Sequence, residues 1–148
     1  MNRKIIFRGK SIEPETNGEW IYGDLIHCIS EHYGEQFFIL PFKSDKVYKE
    51  VLVDSETIGQ FVGIYDSYGE KLFEGDIVQG TSSIRYGEVF EYLGYIEWCN
   101  QSELIGYHVY DKDGCGWELN RISARISCDN ITGKKIGNIW DNKELLEK

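Results

Sequence analysis

Histidine and cysteine are the residues of this chain whose side chains could hold a transition-metal ion. His27, Cys28 and His32 lie close together in the sequence, and His108 and Cys115 flank a predicted turn. Structural zinc usually needs four ligands that include a closely spaced pair, and the chain has no Cys-x2-Cys pair. His27 and Cys28 would also point to opposite faces of a strand, because side chains alternate along it. The sequence therefore predicts no metal site.

Other motifs for catalysis or cofactor binding are incomplete. Asp111-Lys-Asp-Gly resembles the start of a calcium loop, but it places Cys115 and Ile122 where oxygen ligands are required. Gly114-Cys-Gly116 lacks the third glycine of a dinucleotide-binding loop, and Gly133-Lys-Lys135 lacks the upstream glycine and the hydroxyl residue of a P-loop. No Gly-x-Ser-x-Gly or local Cys-His motif singles out a nucleophile. The sequence predicts no catalytic residue, no cofactor and no enzyme activity.

The net charge argues against a general nucleic-acid-binding protein. The chain has 16 Lys+Arg against 25 Asp+Glu, a net charge of −9, whereas binding to phosphates needs an excess of positive charge. A local basic patch is still compatible with this composition, and tyrosines on neighbouring strands could stack on single-stranded bases. The patch would combine eight residues from the two ends of the chain: Arg3, Lys4, Arg8, Lys10, Arg121, Arg125, Lys134 and Lys135. The simpler interpretation is that the aromatic residues form the core and the charges are solvated.

Length and hydropathy predict one domain without a membrane span. The 148 residues fit a single domain over 1–148, with two β lobes at about 1–65 and 66–148 as an alternative organisation. The mean hydropathy is −0.41, and no apolar stretch approaches the roughly 18 residues that a membrane helix needs. The first residues lack the apolar run of a secretory signal. We therefore expect a cytoplasmic protein whose four cysteines are free and mostly buried thiols.

Short alternating runs of apolar residues predict a mainly β fold that would position these side chains. Over 89–98, alternate residues give one apolar face and one mixed face. The run 105–110 is followed by Asp111-Lys-Asp-Gly, whose residues tolerate a positive φ in a hairpin, and Trp117 begins the return strand. Near the end, Asp141 is positioned to cap a short terminal helix.

Two internal similarities occur in the chain. Trp20–Ile26 resembles Leu72–Val78 around a shared Gly-Asp pair, and Gly63–Asp66 resembles Asn138–Asp141. In such an element, glycine permits a tight turn and aspartate bonds nearby backbone N–H groups. Independent reuse of the same strand-entry chemistry is the favoured explanation of both similarities, with a duplication as the alternative.

Three segments together resemble the YopX-like family, which is found in bacteriophages and prophages, mostly of Gram-positive bacteria. The segment 57–78 resembles the hallmark of that family, 136–146 resembles its terminal signature, and 6–10 followed by 20–24 fits its N-terminal pattern. The resemblance implies a predominantly β structure and carries no catalytic residues. Glu74-Gly-Asp-Ile-Val78 followed by long strands over 84–98 and 103–111 leads us to expect a small, partly open, SH3-like barrel or sandwich with few short helices.

The functional hypothesis from the sequence is therefore a binding protein. We expect a phage- or prophage-encoded, non-enzymatic binding or assembly module in the bacterial cytoplasm. Its expected partner is an unidentified phage or host protein, and exposed strand edges also favour a homo-oligomer. The alternative is a nucleic-acid-binding or host-enzyme-regulating protein that acts in phage replication.

Overall fold

The computed structural model describes residues 3–42, 49–83, 89–101, 105–114, 116–118 and 133–148. Within them the chain is mainly β, all strand pairs for which the register is known are antiparallel, and the helical segments are two short 3-10 turns. The predicted mainly β class is confirmed, whereas the SH3-like barrel stays a prediction. None of the helices in the described ranges has the length and apolarity to cross a membrane. The chain divides into two compact units, 1–61 and 62–148.

Unit 1 contains four strands and the start of a fifth. In spatial order β4-β3-β2-β1-β5, they are Val51–Val53, Gly34–Pro41, Trp20–Ser30, Phe7–Lys10 and Gly59–Tyr65. Ile39 and Val53 are buried on one face of this sheet, and Gly9 faces them. A Cβ atom on Gly9 would lie 3.1 Å from the Val53 Cβ atom. The close approach of β1 to Val53 of β4 therefore favours glycine at position 9.

A charged residue lies in the interior of unit 1. Arg8 is 1% exposed, and its guanidinium carbon lies 4.7 Å from the centre of the Trp20 ring. The Lys10 ammonium lies 5.4 Å from the centre of the same ring. The backbone N–H of Lys10 donates to Thr57 Oγ1 at 2.8 Å, which ties β1 to the 3-10 turn Ser55–Thr57. In these cation–π contacts the face of the Trp20 ring attracts the positive charges of Arg8 and Lys10.

Unit 2 contains the end of β5 and all the later strands. β6 (Lys71–Phe73) pairs with β5, and a five-stranded sheet follows in the order β10-β9-β8-β7-β11. Those strands are Gly116–Glu118, Gly106–Tyr110, Val89–Cys99, Asp76–Ser83 and Lys134–Asn138. The core of the unit is formed by Val62, Leu72, Val78, Tyr92, Ile96 and Val109. The predicted apolar face of 89–98 is therefore confirmed at its centre, and so is the 111–114 turn with its return strand.

Asp66 joins two distant parts of unit 2 through a buried carboxylate. The backbone N–H groups of Tyr68 and Glu70 donate to its Oδ1 atom at 2.9 Å, and the backbone N–H of Lys135 donates to Oδ2 at 3.0 Å. The first two bonds close the turn between β5 and β6, and the third attaches β11. The side chain thus satisfies three backbone donors, and the most distant of them lies 69 residues along the chain from Asp66.

Asp76 and Gly75 form a second link to the C-terminal segment. Asp76 Oδ2 accepts the Phe73 N–H at 2.9 Å and lies 3.6 Å from Lys135 Nζ. Gly75 has a φ of +80°, and a Cβ atom there would overlap the ring of Trp140. Gly75 N–H donates to Ile96 O, and Gly75 O accepts from Ile139 N–H. The turn at 74–75 therefore packs against both β8 and the C-terminal segment.

The C-terminal helix differs from the prediction in its cap. A 3-10 turn covers Lys143–Glu147, but Asn142 precedes it and makes no capping hydrogen bond with its side chain. The prediction that Asp141 caps this helix was wrong. The Asp141 side chain instead accepts from Asn138 Nδ2 at 3.0 Å, and the Asp141 N–H donates to Asn138 Oδ1. Asn138 organises this turn, which the sequence pattern around Asp141 did not reveal.

The internal similarity between 20–26 and 72–78 does not correspond to equivalent structures. Gly23 lies inside β2, where a Cβ atom would overlap the carbonyl group of Leu40, whereas Gly75 lies in a turn with a positive φ. Asp24 is exposed and Asp76 is buried. The shared Gly-Asp pair therefore serves two different backbone conformations.

We predict that Asp66→Ala lowers the free energy of unfolding by about 3 kcal/mol, because three backbone N–H groups lose their acceptor. Chemical denaturation measures this loss. Asp113→Ala, in the exposed turn after β9, is the matched control and should change the unfolding free energy by less than about 0.5 kcal/mol. Equal losses in the two variants would contradict the role of Asp66.

We predict that Gly75→Ala destabilises the protein by about 2 kcal/mol more than Gly69→Ala does. Both glycines have a positive φ, +80° and +83°, so both variants carry the same backbone strain. A Cβ atom at Gly69 meets nothing within 4 Å, whereas one at Gly75 meets the Trp140 ring. The difference between their denaturation midpoints, converted to free energy, isolates the contact with Trp140. Equal effects would show that the ring moves aside without cost.

Candidate interaction surface

The β2–β3 hairpin of unit 1 extends beyond the strands on either side of it. β1 pairs only with Trp20–Gly23 of β2, and β4 pairs only with Phe37–Ile39 of β3. Among the described residues, no strand pairs with the outer edges of 24–30 and 34–36. We call residues 24–36 the arm; beyond His27, where β4 no longer pairs with β3, it is two-stranded. Its outer edges present backbone N–H and C=O groups that another chain could pair with.

The sequence of the arm explains why it forms a hairpin. β2 contains the apolar residues Leu25, Ile26 and Ile29, and apolar and β-branched residues of this kind favour a strand. The turn at its tip is closed by Ser30 Oγ, which accepts the Tyr33 N–H at 2.9 Å. Gly34 then adopts a φ of +69° as β3 begins. Strand propensity and the turn residues thus favour a long hairpin.

Large apolar side chains are exposed on the arm. Ile29 is 79% exposed and Tyr33 is 78% exposed, whereas Leu25, Ile26 and Phe37 are half-buried. A two-stranded hairpin is only marginally stable in water, and leaving large apolar side chains exposed lowers its stability further. Exposed apolar surface of this kind commonly marks a site where another molecule binds.

His27 stiffens the arm from one face. Its ring stacks on Phe37, with centroids 4.4 Å apart and planes 7° apart, and its Nε2–H donates to Glu35 Oε1 at 2.7 Å. Cys28 is the next residue along β2, so it points to the opposite face, and it is exposed. This exposure differs from the expected buried thiol, while Cys99 is buried as expected. No three His, Cys, Asp or Glu side chains of the described segments are arranged to hold a metal ion.

A groove lies between the arm and the segment that follows β4. Its volume is about 290 Å³, and its walls include Ile12, Tyr33, Phe37 and Leu52. Glu35 and Asp54 also line it, and the lining residues that the structure describes include no Lys or Arg. Asp54 Oδ1 accepts the Glu56 N–H at 3.0 Å, which fixes that carboxylate at the end of β4. The groove therefore combines apolar walls with negative charge.

Unit 2 carries a separate cluster of polar aromatic residues on one face of β8 and β9. The Tyr110 ring lies 6.1 Å from the Tyr95 ring and 5.9 Å from the His108 ring. His108 is buried, its Nδ1–H donates to Gly106 O at 3.2 Å, and its Nε2 atom has no hydrogen-bond partner in the described part of the chain. The pKa of Tyr110 is raised to about 12; the hydrogen bond to Cys99 is the largest cause, and burial is the second. Burial and the nearby Glu97 also raise the pKa of Tyr95.

The predicted basic patch is divided between the two units. In unit 1, Arg3 and Lys4 are exposed, whereas Arg8 is buried against Trp20. In unit 2, Lys134 is exposed and Lys135 contacts Asp76. Arg121 and Arg125 lie outside the described residues, so the patch as a whole stays a prediction. Of the tyrosines considered for base stacking, Tyr92 belongs to the core.

Sequence reasoning missed the arm and the groove. The apolar runs of the sequence did not reveal that Trp20–Ser30 and Gly34–Pro41 form one hairpin. The apolar residues Leu25, Ile26 and Ile29 before the glycine at 34 were the available signal. The groove had no signal, because Ile12, Tyr33 and Asp54 come from three separate segments.

We predict that Tyr110→Phe removes one tyrosine ionisation near pH 12, measured by tyrosinate absorbance. The neutral phenol is favoured in the folded state, so its contribution to stability is present below pH 10 and is lost as the pH rises from 10 to about 12. Cys99→Ala should lower the pKa of Tyr110 toward 10, because the hydrogen bond is the largest cause of the shift. Loss of an ionisation near pH 10 in Tyr110→Phe would contradict this arrangement.

Comparisons with known proteins agree with the motifs in the sequence. A family model described as YopX protein matches residues 7–147, which is nearly the whole chain. The match includes the segments 57–78 and 136–146 that carry Asp66, Asp76 and Trp140. A search of the curated proteins found no significant match.

Proposed function

Because this chain belongs to the YopX family, and because β2 has a long open edge with exposed apolar side chains, we propose that it is a non-enzymatic assembly module whose copies associate through that edge. The observation that carries the proposal is the outer edge of Asp24–Ser30, which no strand covers in the parts of the chain that the structure describes. A phage or prophage origin and a bacterial cytoplasmic location are parts of the same proposal. They rest on the family resemblance and on the composition.

The edge of β2 lacks the features that usually prevent pairing with another chain. Open edges are commonly protected by lysine, proline, a bulge or a short strand. The segment Asp24–Ser30 contains no lysine and no proline, and it has seven residues. It pairs with β3 in an unbroken register over this whole length. The edge is therefore regular enough to accept a second strand along its full length.

The edge is also complementary to itself under a two-fold axis. If two copies pair antiparallel with the axis at His27, Leu25 lies opposite Ile29 of the second copy, and Ile26 lies opposite Cys28 of the second copy. Asp24, the one charged residue of the segment apart from a protonated His27, lies opposite Ser30. Apolar cross-strand pairs stabilise a sheet, and like charges directly opposite each other destabilise it. With neutral histidine at the axis, where the two His27 residues lie opposite each other, a closed two-fold dimer satisfies this edge without charge repulsion.

We predict that the purified chain, treated with nuclease, has a light-scattering mass of about twice 17.2 kDa. Ile29→Lys should give the monomer mass at the same concentration, because it places a charge among the apolar pairs. Ile105→Lys is the matched control, since Ile105 is 68% exposed but lies in unit 2, and it should leave the mass unchanged. Circular dichroism of each variant verifies the fold.

Cross-linking tests the register of the proposed pair. With the axis at His27, the two Cys28 residues are diagonal neighbours about 7–8 Å apart, within reach of a short bismaleimide. The wild type should form a cross-linked dimer, and Cys28→Ser should not. A monomeric wild type, or a dimer that Ile29→Lys leaves intact, would overturn the proposal. Association that disappears on nuclease treatment would instead favour the nucleic-acid-binding alternative.

A further inference from the structure

We propose that the groove beside β4 binds an extended, basic peptide segment of a partner protein. The peptide pairs with the outer edge of β3 at Gly34–Gln36 and places an arginine or lysine side chain against Tyr33, Glu35 and Asp54. This site lies on β3, on the opposite side of the arm from the β2 edge, so it goes beyond the proposed assembly and does not depend on it.

The end of β4 leaves the β3 edge open next to the groove. β4 pairs with Phe37–Ile39 and ends at Val53, after which the chain turns away into Ser55–Thr57. That departure is fixed, because the Asp54 N–H donates to Lys10 O at 2.9 Å. Within the described ranges, no strand continues along Gly34–Gln36. An incoming strand could take that position, as peptides do when they add to the edge of a sheet.

The size and walls of the groove fit a peptide side chain better than a small molecule. Small-molecule sites usually enclose about 300–1,000 Å³, and this open groove is at the lower limit of that range at about 290 Å³. Tyr33 contributes an aromatic ring that is almost fully exposed, and Ile12 and Phe37 contribute apolar surface. These walls would contact the methylene groups of a long basic side chain.

The charge of the groove selects a cation. Among the described residues that line the groove, Glu35 and Asp54 are the charged ones, and both carry negative charge. Glu35 uses Oε1 to accept from His27, and Asp54 uses Oδ1 to accept from Glu56 N–H. The second oxygen of each carboxylate makes no hydrogen bond to another described residue, so each can accept from a guanidinium or ammonium group. The ring of Tyr33 adds a surface on which a cation can lie.

The test uses two fluorescein-labelled synthetic heptapeptides in anisotropy titrations against the full chain. One is Thr-Ile-Arg-Val-Arg-Ile-Thr, and the other has glutamate in place of both arginines. We expect at least about tenfold tighter binding of the arginine peptide, as charge-assisted hydrogen bonds worth about 1.4 kcal/mol would give. Equal affinity for the two peptides, or no binding of the arginine peptide, would overturn the proposal.

Variants with and without the two groove carboxylates locate the site. Glu35→Gln with Asp54→Asn should weaken binding of the arginine peptide about tenfold, while glutamine can still accept from His27 and asparagine can still accept from Glu56 N–H. The matched control is Asp113→Asn with Glu31→Gln, which removes the same charge from exposed positions outside the groove and outside the β2 edge and should leave the affinity unchanged. Equal weakening in both double variants would show a general charge effect and overturn the site.

Chemical-shift mapping provides a readout that does not depend on the variants. The arginine peptide should shift the backbone amide signals of Gly34–Gln36 and of Tyr33. Shifts confined to other residues would overturn the proposal. Light scattering of the same samples separates this inference from the proposed assembly, because a monomeric chain that binds the peptide at the groove would contradict the assembly alone.

Discussion

Unit 2 depends on a buried carboxylate that three backbone N–H groups must reach together. A carboxylate removed from water is costly unless hydrogen bonds replace its hydration, and Asp66 obtains them from the turn after β5 and from β11. Asp76, also buried, receives Phe73 N–H and lies near Lys135 Nζ. The turn, the start of β7 and the C-terminal strand can therefore form stably only as a group. The two most distinctive segments of the sequence, 57–78 and 136–146, therefore lie against each other, with Ile139 N–H donating to Gly75 O.

The arm of unit 1 is stabilised in a different way. Its tip has no buried carboxylate network, and its side-chain interactions are the stacking of His27 on Phe37 and the bond from His27 to Glu35. Both partners of that bond are about half exposed, so its contribution to stability is small. The apolar side chains at the tip lack the neighbours that the core of unit 2 provides. Burial by another chain would supply the stabilisation that the hairpin itself does not have.

The charged residues have distinct structural roles that a net charge of −9 does not indicate. Arg8 is buried over Trp20, and Lys135 lies beside Asp76, so two members of the predicted basic patch take part in the interior of their units. Glu35 and Asp54 combine structural hydrogen bonds with exposure at the groove. Local geometry thus decides whether a charge stabilises the fold or faces a partner.

The sequence by itself determined the mainly β class, the strand over 89–98, the hairpin after Tyr110 and the family, because alternation, turn residues and motifs are local signals. It also predicted that aspartate in a Gly-Asp-Ile-Val element would bond a nearby N–H, as Asp76 does. Only the tertiary structure decided the cap at Asn142, the attachment of β11 to Asp66, the length of the arm and the groove. Each of these depends on which distant backbone groups become neighbours, and pairing over tens of residues leaves no periodic pattern in the sequence.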